Sequence, residues 1–321
     1  MRREVILPVV ALALLALVPL TGSAFYIELV TKVMIVAIFA MSLDLLVGYT
    51  GLVSFGHAAF FGLGAYAYAL LAPKSEPASV WITLAAALAL AAVAAAFVGA
   101  FVLRTKGIYF IMVTLAFAQM FYFVFHDTDF GRGSDGITVN FKPEAMLGGW
   151  SAIDLGSTNQ FYYLVLVLLV AALAFLRTLL KSPLGRALQG IKVNEHRMRS
   201  LGYPVYWYKL ASFTIAGTLA GFAGYLYAVQ TGFANPELLS WHQSGNVLLM
   251  IILGGTGSLY GAIGGAFAFA LLEEVFSALT VHWQLLLGLT IIGLVLFMPG
   301  GLSEFVARIV RKPVEEHADD E

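Results

Sequence analysis

Lys181-Ser-Pro-Leu-Gly-Arg-Ala-Leu-Gln-Gly-Ile-Lys-Val-Asn-Glu-His-Arg-Met-Arg-Ser-Leu-Gly-Tyr-Pro-Val-Tyr-Trp-Tyr-Lys209 is the one long basic stretch in a chain that is otherwise mostly apolar. It carries Lys181, Arg186, Lys192, Arg197, Arg199 and Lys209 against a single acid, Glu195. Ser182-Pro183 reads as a helix start, hydroxyl at the N-cap and proline at the first helical position. Leu184, Leu188, Ile191, Met198 and Leu201 recur near helical spacing and make one side greasy. Gly202 suits a left-handed cap, and Pro204 stops continuation. The expectation is one amphipathic helix on a loop between membrane spans. Two readings fit it: a helix lying in lipid headgroups, or a helix docked in a groove of a partner protein.

The flanking sequence fixes the class. Of 321 residues, 60% are hydrophobic and 12% charged, against roughly 25% charged in a soluble domain. The basic stretch is too short to hold a core. The chain therefore reads as an all-α polytopic membrane protein, one integral-membrane domain over 1–312 with an acidic tail, 313–321, expected to be disordered. There is no cysteine, which excludes disulfides, thiolate metal sites and cysteine nucleophiles.

Ten spans are expected. The first apolar run, Val5 to Val18, follows Arg2-Arg3. It reads as a transmembrane helix, with a cleaved signal peptide as the alternative. The others are Ile27–Val47, Leu52–Ala72, Ser79–Leu103, Ile108–Phe125, Gln160–Leu176, Leu210–Val229, Leu238–Leu253, Leu259–Leu279 and Trp283–Met298. Leu238–Leu253 is the weak one, short and interrupted by Ser244-Gly245-Asn246. With both termini inside, only Lys32, Lys74, Arg132 and Lys142 of the 18 Lys and Arg fall on or near the outer side, a strong positive-inside asymmetry. Merging Leu238–Leu253 with the next span would put Arg308, Arg311 and Lys312 outside. Both are therefore kept, with a bend at Gly254-Gly255-Thr256-Gly257. The external loop 127–159 reads as a solvated cap on the bundle or as a docking surface for an extracytoplasmic partner. Loop 181–209 is then cytoplasmic.

No GxxxxGK[ST] or HExxH motif and no G-x-S-x-G serine occurs, and the six histidines lack helical metal spacing. No catalytic residue, metal or cofactor is expected, and no ATP hydrolysis by a phosphate-cradling loop on this chain. Nucleic acid is not an expected partner. Gly48–Tyr66 combines five glycines, Ser54, Phe55, Gly56 and His57 at a membrane face. It suits a close helix crossing, or a broken helix start lining a polar path. Ser54, Phe55, Gly56, His57 and Thr114 are the candidate pathway residues. Gly217-x-x-x-Gly221 and Gly257-x-x-x-Gly261 read as small-residue packing faces. Asp44, Glu273 and Glu274 lie off-centre in their spans, which argues against a proton relay.

Gly48–Tyr66, Ser182–Gly202 and Met250–Gly265, in that order, resemble the branched-chain amino acid ABC transporter permeases, specifically the M-type subunit. The likeness runs from about Ile27 to Gly301. It implies a multi-pass subunit in the bacterial inner membrane. Its implied partners, besides the lipid bilayer, are a related H-type permease, two cytoplasmic ATPase subunits that hydrolyse the ATP, and a periplasmic substrate-binding protein. In the family the loop after the sixth span meets the ATPase. Ser182 lies in that element, and Gly185, Arg186, Glu195 and Gly202 match its pattern. Gly190 and Lys192 stand where alanine and arginine are expected. The resemblance favours partner docking for 181–209 and implies alternating access between two rocking permeases. Alternatives are a permease for urea, short amides or sugars, a self-contained carrier or channel, and a membrane scaffold.

Overall fold

The computed structural model describes residues 2–73, 75–144, 146, 147, 150, 151, 154–298 and 300–304. The acidic tail 313–321 and the residues Lys74, Arg308, Arg311 and Lys312 lie outside them. Each of the ten apolar segments carries a helix. In chain order these are α1 (Arg2–Leu17), α2 (Ala24–Asp44), α3 (His57–Leu71), α4 (Val80–Val102), α5 (Ile108–His126) and α6 (Thr158–Lys181). Two short helices follow in the basic stretch, α7 (Pro183–Val193) and α8 (Glu195–Ser200). Then come α9 (Val205–Thr231), α10 (Trp241–Gly254), α11 (Leu259–Leu279) and α12 (Trp283–Phe297). A π-helical turn, Leu45–Thr50, prolongs α2. Among the described residues, six helices are long and apolar enough to cross a membrane by length and composition: α2 with its π turn, α4, α5, α6, α9 and α11. The protein is thus an α-helical, multi-pass membrane protein.

Glycine decides how close the central helices come. The middle of α9 lies between α3 and α4. A Cβ on Gly217 would sit 2.5 Å from Ala95 Cβ, and one on Gly221 would sit 2.3 Å from Ala91 Cβ, both on α4. On the other flank a Cβ on Gly224 would be 1.8 Å from Phe61 O, and one on Gly64 of α3 would be 1.9 Å from Gly221 O. Backbone meets backbone, the arrangement that replaces hydrophobic driving force between helices in lipid. Phe60 and Phe213 fill the layer beneath, edge to face at 5.7 Å.

Two segments differ from the expected spans. Leu52–Ala72 is not helical throughout, because 51–56 is open chain. Gly51, at φ 75°, ends the π turn in a left-handed conformation, and the Thr50 hydroxyl donates to Leu45 O at 2.9 Å. The chain then turns back into the bundle, and α3 starts beside Ser42, ~12 Å along α2 from Thr50 at the helical rise. In the second, Ser244-Gly245-Asn246 does not interrupt α10, which runs unbroken from Trp241 after a 3₁₀ turn at Pro236–Leu239. Ser244 is compatible with the helix because its oxygen faces α3, accepting from Ala58 N at 2.8 Å. The bend at 254–257 is present, with Gly255 and Gly257 at φ 101° and 82°.

One end of the bundle is laced shut. Strand β1 (Ile137–Thr138) of segment 127–159 pairs antiparallel with β4 (Phe233–Ala234), after α9. Between them in sequence, β2 (Met146–Leu147) and β3 (Trp150–Ser151) form a small hairpin. Glu144 N donates to Ala78 O at 2.8 Å, and the Tyr68 hydroxyl to Phe141 O at 3.1 Å. The segment therefore caps the bundle through backbone pairing, while Asp127, Asp129, Asp135 and Glu144 remain exposed.

Overpacking a core typically costs about 1–3 kcal/mol, and more where backbone blocks relaxation. Gly221→Val is therefore expected to lower the thermal midpoint of the detergent-solubilised protein sharply. Gly264→Val, where an added Cβ meets nothing within 4 Å, should leave it nearly unchanged. Aggregation onset on heating measures both.

Candidate functional site

The basic stretch forms two helices, not the one expected over 182–202. Ser182 caps the first as anticipated, its oxygen accepting from Gly185 N at 3.4 Å. A Cβ on Gly185 would lie 2.4 Å from Leu180 Cα and 2.5 Å from Leu179 O, so the α6–α7 turn has no room for a side chain. Ala187, Leu188 and Ile191 are buried against the bundle, and Arg186 and Gln189 face out. Asn194 ends α7 in an extended conformation and caps α8, its side-chain oxygen accepting from Arg197 N at 2.9 Å. That cap was readable in the sequence, asparagine being a strong N-cap residue, but the run of helical spacing across it masked the break. Gly190 leaves space for Met198, whose sulfur would be 2.9 Å from an added Cβ. Gly202, at φ 85°, follows α8.

Glu195 is engaged inside the chain. Its carboxylate accepts from Lys209 Nζ at 2.7 Å, pairs with Arg199 one turn on, and lies 3.6 Å from Lys106 Nζ. It therefore joins α8 to the start of α9 and to the α4–α5 turn. The Lys209 pair dominates, with side chains 14% and 24% exposed, whereas Lys106 is 70% exposed and screened by water. Burial pushes the carboxyl pKa up. The Lys209 hydrogen bond and the charges of Lys209, Lys106 and Arg199 outweigh burial and hold it below the usual range.

A second set of contacts ties α7 to the membrane helices. Lys192 Nζ donates to Gly48 O in the π turn. A Cβ on Gly48 would sit 2.5 Å from Gly257 N, and Asp44 Oδ1 accepts from that same amide at 2.8 Å. Gly257 therefore belongs to the α10–α11 turn, and Gly257-x-x-x-Gly261 is not one helix face. Gly261 does pack closely, with an added Cβ 2.6 Å from Gly254 O.

The five candidate pathway residues gather at the break before α3. Phe55 N donates to Thr114 Oγ1 at 3.3 Å, and an added Cβ on Gly56 would be 2.4 Å from Thr114 O. Ser54 Oγ accepts from Gly56 N at 3.2 Å. His57 Nε2 lies 2.9 Å from Ser42 Oγ, and its ring stacks on Phe39 at 5.7 Å between centroids. Ser54, His57 and Thr114 are buried. Within this chain they hold the break in place, and Phe55 alone of the four side chains is partly exposed. Ser244, which satisfies Ala58 N, belongs to the same cluster and was hidden by reading its segment as an interruption.

Glu195→Gln removes the charge that holds three cations. About 1 kcal/mol of lost local stability raises the open population roughly fivefold, so tryptic cleavage at Arg197 and Arg199 is expected to speed up by about that factor at neutral pH. In the unaltered protein the folded carboxyl titrates below its unfolded value of about 4.3. The staple is thus fully present above that pH and is lost only as pH falls through the lower folded value. Acid-stable proteolysis across pH 3–5 measures that.

Residues 25–297 match the family described as "Branched-chain amino acid transport system / permease component". The chain is 33% identical over 313 residues to the high-affinity branched-chain amino acid transport system permease protein LivM of Escherichia coli, covering 91% of this chain and 73% of that protein. It is 32% identical to the Salmonella typhimurium protein of the same name, covering 88% and 71%. A shorter likeness, 32% over 154 residues, links it to the autoinducer 2 import system permease protein LsrC of Klebsiella pneumoniae, covering 46% and 44%. No solved structure matches. With the match spanning nearly all of the helical bundle, the chain belongs to the branched-chain amino acid transport system permease family.

Proposed function

We propose that this chain is one of two permease subunits of an ATP-driven importer of branched-chain amino acids in the bacterial inner membrane. The observation that carries this is the likeness over 91% of the chain to a permease named for that transport. The likeness to autoinducer 2 permeases covers under half of the chain and carries less weight for the solute. An H-type permease completes the pathway. Two ATPase subunits bind on the cytoplasmic side, and a periplasmic binding protein delivers the solute.

All ten apolar helices cross the bilayer in this reading, with both termini and α7–α8 inside. α3 and α10, of 15 and 14 residues, fall short of the roughly 20 residues that a crossing needs. Each is completed by other chain, the open segment 51–56 for α3 and the 3₁₀ turn Pro236–Leu239 for α10, held inside protein where backbone polar groups find partners. The positive-inside asymmetry supports the orientation, as does the position of α7, α8 and the α4–α5 turn at one end, opposite the laced cap.

ATPase docking falls to α7 with Gly185 and Arg186 at its start. When the ATPases close, α7 moves and Lys192 carries the displacement to the π turn of α2 and, through Gly48 and Asp44, to the α10–α11 turn. Glu195 keeps α8 fixed to the scaffold during that stroke and does not itself grip the ATPase.

Two outcomes test this. Affinity purification of the tagged chain from its native membrane should bring down an ATPase and a second permease, and leucine, not urea, should compete for uptake in vesicles. Arg186→Glu should abolish ATPase co-purification. Lys192→Met should leave the complex assembled while uptake falls about tenfold, the effect of losing a charge-assisted hydrogen bond of about 1.5 kcal/mol. Uptake by the purified chain alone, or normal uptake with both changes made, would sink the reading.

A further inference from the structure

Two lengths place the start of α10 near mid-membrane. Toward the α7 end, α10 runs to Gly254, and the next turn meets Gly48. At the helical rise Asn246 stands ~12 Å and His242 ~18 Å from Gly254. Toward the laced cap, Leu239 packs on Gly62 of α3, where an added Cβ would be 2.4 Å from Leu239 Cγ. Gly62 in turn lies ~14 Å short of Leu71, the cap end of α3. The two lengths together equal about the ~30 Å thickness of a hydrocarbon core.

At that depth α10 is not apolar on its open side. His242 and Asn246 are exposed and Gln243 is half-exposed. Among the described residues none of these side chains forms a hydrogen bond. The Ser240 hydroxyl at the head of the helix is buried, 5% exposed, and also lacks a partner. Amides and imidazoles do not face lipid tails at such depth; they face protein or a water-filled path. Beside them lies the half-exposed Phe55, its ring 3.9 Å from where a Gly245 Cβ would be. α3 and α10 both begin at this level and run to opposite ends of the bundle, so the positive ends of both peptide dipoles are turned toward it.

We propose that this face of α10, at the break before α3, is a mid-membrane subsite for a zwitterionic amino acid. The side-chain amides of Gln243 and Asn246 receive its carboxylate and ammonium, His242 borders the site toward the laced cap, and Phe55 meets the aliphatic side chain. The amides hydrogen-bond the zwitterion without neutralising it, so it is held and released. This rests on the importer reading above, and the second permease closes the other side of the site.

The absence of native cysteine makes the test direct. Asn246→Cys, His242→Cys and, as an apolar control on α12, Leu289→Cys are assembled with both permeases, the ATPases and the binding protein in nanodiscs. A charged thiol reagent should modify positions 246 and 242 in at least one nucleotide state and leave 289 unmodified. Leucine with its binding protein and ATP should slow the first two reactions. Asn246→Leu should lower leucine uptake about tenfold with assembly intact. If the unaltered importer moves leucine but 246 and 242 stay unmodified in every nucleotide state, the face is a static contact or lipid-buried and the subsite is wrong. Labelling indifferent to leucine, or full uptake by Asn246→Leu, overturns it equally. An unaltered importer that moves no branched-chain amino acid removes the reading beneath it, and the subsite with it.

Discussion

Inside a hydrocarbon layer each peptide N–H and C=O needs a partner supplied by the protein. That constraint organises this structure, because the chain leaves helical geometry at two places within the bundle. At the first, Ser54 accepts from Gly56 N, Thr114 from Phe55 N and Ser244 from Ala58 N. Three elements thus supply one short break: the loop itself, α5 and α10. The second break, leading into α10, lies against α3 through Leu239 and Gly62. Each broken helix is supported by the other, so neither position is adjustable alone.

Close approach of backbones makes this support possible. Gly64, Gly221 and Gly224 let α3 and α9 touch main chain to main chain, and Gly254, Gly261 and Gly265 do the same for α10 and α11. At the α7 end the π turn of α2 meets the α10–α11 pair through Gly48 and Gly257. Lys192 reaches that junction. The basic stretch is therefore attached to the membrane helices where α2 meets the α10–α11 turn, and not to the outside of one helix.

Much of this was legible in the sequence because apolar runs and glycine spacing are local signals. The ten helices, the bend at 254–257 and the cap at Ser182 follow from such signals. The misread parts depend on partners distant in sequence. Asn194 splits α7 from α8 although apolar spacing continues past it. Ser244 looks like a helix breaker until Ala58 is seen to need its oxygen. Glu195 likewise has partners far away in sequence, Lys209 and Lys106, which no local signal announces. Ser54, His57 and Thr114 lie together at the break before α3, where burial and hydrogen bonds make them its braces. The exposed polar face of α10 has no local signature, because polar residues in an apolar run look the same as an interruption of the helix.

The turn at Gly185 has a mechanical meaning. With Leu179 and Leu180 filling the space a side chain would need, the joint between α6 and α7 has no slack to absorb motion. Any displacement of the short helix α7 is then transmitted without backlash to the long helix behind it. The stiffness of this elbow, set by one missing methyl group, makes α7 and the end of α6 move as one piece.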